Sequence, residues 1–195
     1  MPIFQLLGTA KAAAVPAFHA LNGTDNIDSC SGKGKLGCWK VFSRADEDVI
    51  TAFANLGTTE HPDEDTIKQG VEKFVCHLYQ PNTSICQVNE LRWSLFKKKQ
   101  AQSERLPPTQ GALREAILRA HYQTMIWNKD KVPNPNIPPP ENYGWKKDSD
   151  EWLPVMTTTP PAPEAIIKME KCGCVKQRTM LNKSVPVLKG RANMH

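Results

Sequence analysis

Apolar residues recur at helical spacing along most of this chain. Val49, Ile50, Phe53 and Leu56 share one face of residues 46–56, and Gly57 follows where a helix C-terminus favours glycine. The stretch 35–45 before it reads as another short helix. Residues 9–21 are Ala-rich and end on the turn signal Asn22-Gly23. Pro16 suits a first helical turn and predicts a helix start there. The clearest pattern spans 63–79, where Ile67, Val71, Phe74, Val75 and Leu78 fit one apolar stripe. Pro62, Asp63, Glu64 and Asp65 suit its N-terminus, where the helix dipole favours negative charge, and Pro81 stops it. A further helix over 86–99 would turn Val88, Leu91, Leu95 and Phe96 inward and end on Lys97-Lys98-Lys99. After Leu106-Pro107-Pro108, residues 109–128 carry a wide apolar face: Leu113, Ile117, Leu118, Ala120, Tyr122, Met125 and Ile126. Such width implies burial against several neighbours.

The pattern changes at residue 130. Five prolines fall within 131–141, which reads as an extended connector. Tyr143-Gly144-Trp145 and the run 151–156 flank Lys147-Asp148-Ser149-Asp150, a small β-hairpin with exposed aromatic residues at its base. A short helix is predicted over 163–170, and beyond Cys174 there is no periodicity, so disorder is expected. The fold class is therefore mainly α, α+β overall. The divisions fall at 1–57, 58–130, 131–174 and 175–195.

Charge changes the picture by segment. The 195 residues hold 25 Lys and Arg against 20 Asp and Glu. Lys176, Arg178, Lys183, Lys189 and Arg191 belong to an acid-free stretch, 175–195, so the rest is balanced at 20 against 20. The body is thus not a uniformly basic surface. No apolar run approaches the roughly 20 residues that span a bilayer, so no membrane association is expected. The first residues, Met1-Pro2-Ile3-Phe4-Gln5-Leu6-Leu7, lack the basic region of a secretory signal. The six cysteines then read as reduced thiols of an intracellular protein, nuclear or cytoplasmic and not secreted.

Two clusters could carry chemistry. Asp25 precedes Gly32-Lys33-Gly34-Lys35 and the helix that follows. An Asp beside such a loop can ligate a hard cation such as Mg²⁺. The glycines let backbone N–H groups approach a phosphate at a helix N-terminus, and Lys33 and Lys35 add charge. The competing reading makes Asp25 and Asp28 turn residues and the glycines loop closers. Cys172 and Cys174 supply two thiolates, short of the four ligands of a structural zinc site. No cofactor is expected from the residues themselves. Tyr143, Trp145 and Trp152 read as sealing the hairpin onto the helical body, and His19, His77 and His121 as packed or half-buried rather than catalytic.

The run Pro16-Ala17-Phe18-His19-Ala20-Leu21-Asn22-Gly23-Thr24-Asp25 with Gly32-Lys33-Gly34-Lys35 resembles an uncharacterised multicopy animal family associated with transposable elements. Its members read P-A-F-H-A-x-T-G-C-D, then a G-K-G-K loop and a helix containing Trp. The likeness continues through Glu72-Lys73-Phe74-Val75-Cys76-His77-Leu78-Tyr79, Leu106-Pro107-Pro108-Thr109, Arg119-Ala120-His121-Tyr122-Gln123, Tyr143-Gly144-Trp145 and Pro160-Pro161-Ala162-Pro163-Glu164. It ends at Lys171-Cys172-Gly173-Cys174 and covers about residues 10–174.

The family segment is similar to the distal, helical part of a PIN or flap-endonuclease-like nuclease. That resemblance implies a PIN-like remnant over 1–57, with Asp25 matching a metal ligand. Gly32, Lys33, Gly34 and Lys35 match a turn that grips the nucleic-acid backbone. Members often end in a tesmin-like CXC zinc segment, of which only Cys172 and Cys174 remain here. This chain departs from the pattern at three places: Thr24 replaces Cys, a tolerable change; the strands and acidic ligands expected upstream of Asp25 are absent, which weighs against catalysis; and the cysteine ladder of the zinc segment stops at Cys174. One Asp cannot clamp the two metal ions of phosphoryl chemistry. The missing strands would also leave the helices without the sheet they cover. The expectation is a non-catalytic remnant of a transposon-associated, nuclease-like protein that binds nucleic acid weakly. Its rivals are a protein-interaction module using the Pro/Trp-rich region 131–163, and an Mg²⁺-dependent nuclease.

Overall fold

Seven helices and one hairpin follow one another among the described residues, which are 3–23, 32–98 and 106–157 of a computed structural model. The helices are α1 (Ile3–Leu7), α2 (Thr9–Leu21), α3 (Lys35–Phe42), α4 (Glu47–Asn55), α5 (Glu64–Tyr79), α6 (Val88–Lys97) and α7 (Gln110–Asn128). A 3-10 turn over Pro140–Asn142 leads into β1 (Trp145–Asp148) and β2 (Glu151–Pro154). The two strands pair antiparallel, with Trp145 opposite Pro154 and Asp148 opposite Glu151 across a two-residue turn. The mainly helical class with a small hairpin is as the pattern predicts. The helix expected over 163–170 and the tail beyond Cys174 lie outside the described residues.

Local chemistry explains several boundaries. Asp63 accepts a hydrogen bond from the Asp65 amide at the start of α5, and Thr109 accepts from Ala112 at the start of α7. Both side chains satisfy an amide that the first helical turn leaves without a partner. Gly57 closes α4 with φ +75°, as expected of glycine there. A Cβ at Gly57 would also lie 2.7 Å from the Thr124 side chain, so no other residue fits. Pro16 does not begin α2. The helix starts at Thr9 and runs through the proline. The short helix α1 was not foreseen by the apolar spacing at all.

The core lies where α2, α3, α4 and α5 meet. Phe18, Phe42, Phe53 and Phe74 are buried and pack ring to ring. Phe53 and Phe74 meet edge to face at 5.2 Å, and Phe18 stacks on Phe42 at 4.3 Å. Such rings bury large apolar areas and gain further from their quadrupoles. The crossing of α4 and α5 is unusually close. A Cβ on Gly70 would meet the Ala52 Cβ at 2.3 Å and the Asp48 carbonyl oxygen at 2.9 Å. Above this contact Lys73 donates to Asp46 at 2.7 Å and Asp48 at 2.9 Å. Burial works against the Asp48 charge, but the Lys73 hydrogen bond and charge together with the Val49 and Asp48 amides outweigh it and hold the carboxyl below its usual range. These helices cover one another rather than a sheet.

On the other side, α7 packs against α2. The buried positions of α7 are polar as well as apolar, with Glu115, Arg119, His121 and Thr124 all buried. The spacing of α7 predicted its burial against several neighbours but not this polar content. Phe96 is the opposite correction. It was expected inward on α6, yet it is 51% exposed. Leu91 and Leu95 are four residues apart and take the inward face, which rotates Phe96 about 100° away from it.

Candidate nucleic-acid interface

The Gly-Lys loop stands at the amino end of α3. Gly32 has φ +70° and is exposed, and Gly34 is the extended residue just before the helix. The first intrahelical hydrogen bond runs from the Cys38 amide to the Gly34 carbonyl, so the amides of Lys35, Leu36 and Gly37 precede it. No side chain caps this end, and its first turn carries no acid. A Cβ built on Gly32, Gly34 or Gly37 would meet nothing within 4 Å, so the space before these backbone atoms is open. Lys35 is exposed, and Leu36 beside it is 70% exposed.

Lys33 is already engaged. Its Nζ lies 4.7 Å from the centre of the Tyr79 ring, a cation–π contact, and its carbonyl accepts from the buried Cys38 thiol. Burial pushes the Cys38 thiol upward, away from thiolate chemistry. Tyr79 belongs to the last turn of α5. Burial lowers the pKa of Arg92 on α6, and Tyr79 opposes that shift. Asp25, Cys172 and Cys174 lie outside the described residues. Among the described residues no group of three or more His, Cys, Asp or Glu could hold a metal ion, and no helix is long and apolar enough to cross a membrane. Cys38, Cys76 and Cys86 are free thiols.

Helix α6 carries a surface that apolar counting missed. Trp93 and Phe96 are 43% and 51% exposed, and their rings stack with centroids 6.1 Å apart and planes inclined by 21°. Lys97 places its Nζ 5.1 Å from the centre of the Trp93 ring. The root of the helix is firmly fixed. Buried Glu72 of α5 accepts from the Val88 amide at 2.8 Å. Asn89 exchanges two hydrogen bonds with Gln110, and Arg92 donates to the Pro107 carbonyl. Burial pushes the neighbouring Cys76 thiol up to about 12, with Glu72 adding to the shift, so this thiol is inert at neutral pH.

A second polar assembly joins α7 to the hairpin. The Gly57 amide donates to Nδ1 of His121 at 3.1 Å, which leaves the ring proton on Nε2, facing the Thr59 carbonyl at 3.0 Å. Asn128, two turns further along α7, donates to the Gly57 carbonyl. Tyr143 donates to the Glu60 carbonyl at 2.7 Å and lies parallel to the His121 ring. Arg119 donates to the carbonyls of Gly144 and Val155, and Trp145 packs beneath its guanidinium. Tyr143 is buried, contrary to the expectation of exposed aromatics at the hairpin base, and it acts as the expected seal. His121 is buried, His77 half-buried, and His19 exposed but stacked on Trp127 at 5.6 Å. A cleft of about 400 Å³ beside this assembly is lined by Thr58, Thr59, Glu60 and Lys129, among others, and contains no nucleophile–base pair. No protein-family model, curated protein or solved structure matches this chain.

Proposed function

We propose that this chain binds nucleic acid through its phosphate backbone, without catalysing its cleavage. The observation that carries this reading is the amino end of α3. Among the described residues its first turn holds Lys35 and no acid, its N-cap is Gly34, and a Cβ on Gly32, Gly34 or Gly37 would meet nothing within 4 Å. Backbone amides and a helix dipole at such an end favour a phosphate oxygen, and Lys35 adds a mobile charge. The sequence resemblance to a transposon-associated, nuclease-like family agrees with this reading. The region 131–157 offers less to the rival interaction module, because Tyr143 and Trp145 are spent on docking the hairpin to α7.

The test is binding of a labelled duplex to the full chain at two salt concentrations. With two phosphate contacts, raising salt from about 50 to 200 mM should weaken binding about tenfold. Replacing Lys33 and Lys35 together with Ala should remove most of that salt dependence. Salt-independent binding would overturn the proposal. Cleavage that requires a divalent metal and is lost in Asp25→Ala would replace it with a nuclease.

A further inference from the structure

We infer that the exposed face of α6 is a stacking platform for the bases of a single-stranded nucleic acid. The inference rests on the reading above and narrows its ligand to unpaired strands. Two large aromatic rings at a protein surface need a reason. Trp93 and Phe96 lie one turn apart with nearly parallel planes, and both are about half exposed, with Lys97 over the Trp93 ring. A face of this kind takes either an apolar partner or a flat π-system. Charge separates the two. Lys97 lies over the Trp93 ring, Lys98 follows Phe96 by two residues, and the helix carries one acid, Glu90. Glu90 sits near the helix root, close enough to Cys76 of α5 to raise its pKa, and so lies toward the other end. An occupant that is both flat and negatively charged meets both features, and a single strand offers bases and phosphates in alternation.

Within this chain, residues 158–174, with Ile166, Ile167, Met169, Glu164 and Glu170, are the alternative occupant, and two other stretches are poor ones. Residues 99–105, Lys-Gln-Ala-Gln-Ser-Glu-Arg, contain no large apolar side chain. The stretch 175–195 carries five Lys and Arg and no acid, so it is repelled by Lys97 and Lys98. Duplex DNA, whose bases are already stacked, would gain nothing from the rings.

The experiment titrates the full chain with a labelled oligo-dT strand of about 20 nucleotides and with a duplex of equal length. The chains compared are native, Trp93→Leu with Phe96→Leu, and Lys33→Ala with Lys35→Ala. Leucines keep the surface apolar but remove the π-faces, and circular dichroism melts confirm that each variant folds. The expected result is single-strand binding about tenfold weaker or more in the leucine variant, with duplex binding unchanged. Native tryptophan fluorescence should also be quenched by the single strand but not in the leucine variant. Single-strand binding that is indifferent to the leucines overturns the platform while leaving the loop reading intact. Ring-dependent binding that ignores the two lysines overturns the loop reading and keeps the platform. Ring-dependent self-association in sedimentation, with no oligonucleotide bound, overturns it in favour of a second copy of this chain.

Discussion

The two halves of this molecule are held together by different physics. Around Phe53 the helices α2 to α5 interlock through rings and through the close Gly70–Ala52 contact. Around Arg119 and His121, α7 holds the 57–60 turn and the hairpin through hydrogen bonds aimed at individual carbonyls and amides. Apolar packing is non-directional and tolerates the loss of one partner in proportion to the area removed. A buried polar network loses more per atom, because each deletion leaves another group unsatisfied. A four-residue-stranded hairpin is marginal on its own, so its survival depends on that network.

The largest effect should come from the ring cluster. Phe53→Ala should cost about 3–5 kcal/mol, read as a fall in the denaturant midpoint with both halves unfolding together. A cost under about 1 kcal/mol would mean that the rings do not dominate and would dissolve the contrast. Next is Arg119→Met, which keeps the stem but leaves the Val155 carbonyl without its Arg119 donor and removes a positive charge one turn from buried Glu115. It should cost about 2–3 kcal/mol. Amide exchange should rise over 145–155 first and stay unchanged in α5. Equal loosening of both regions would show that the network is not local.

The pH response sharpens the same contrast. Burial lowers the pKa of His121 below the 6.5 of a free imidazole, and the charge of His61 adds to this, although the Thr59 and Glu60 carbonyls oppose it. The folded chain therefore holds His121 neutral, while the unfolded chain takes up a proton near pH 6.5. Stability from this group is complete above that pH and is lost as pH falls below it, by at most about 1.4 kcal/mol per pH unit. Denaturant titrations at pH 7.5, 6.5 and 5.5 should show the loss, and His121→Asn should flatten it. The smallest effect belongs to the surface. Glu64→Ala breaks the exposed 2.7 Å pair with Arg114 and should cost no more than about 0.5 kcal/mol, shrinking further in high salt.

The apolar half was legible in the sequence because its logic is local. Val49, Ile50, Phe53 and Leu56 announce α4, and Gly57 announces its end, since periodicity and capping depend only on near neighbours. The polar half was not. Counting apolar positions along α7 passes over Arg119 and His121, whose partners lie 36 and 64 residues away. The Gly-Lys loop was visible as a loop before a helix, but the contact of Lys33 with Tyr79 was not. The outward turn of Phe96 was hidden for a simpler reason. Leu95 and Phe96 are adjacent and equally apolar, and only packing against α5 decides which faces in.

Helix α6 is in mechanical terms a cantilever. Among the described residues its hydrogen-bonded clamps fall within the first five residues, on the Val88 amide, Asn89 and Arg92, Leu95 alone packs the outer turn against the core, and the element is about 15 Å long. Trp93 and Phe96 lie just beyond the last clamp. Load applied to those rings bends or frays the outer turn before it reaches the aromatic core, so whatever rests on α6 can be gripped and released without straining the rest of the fold.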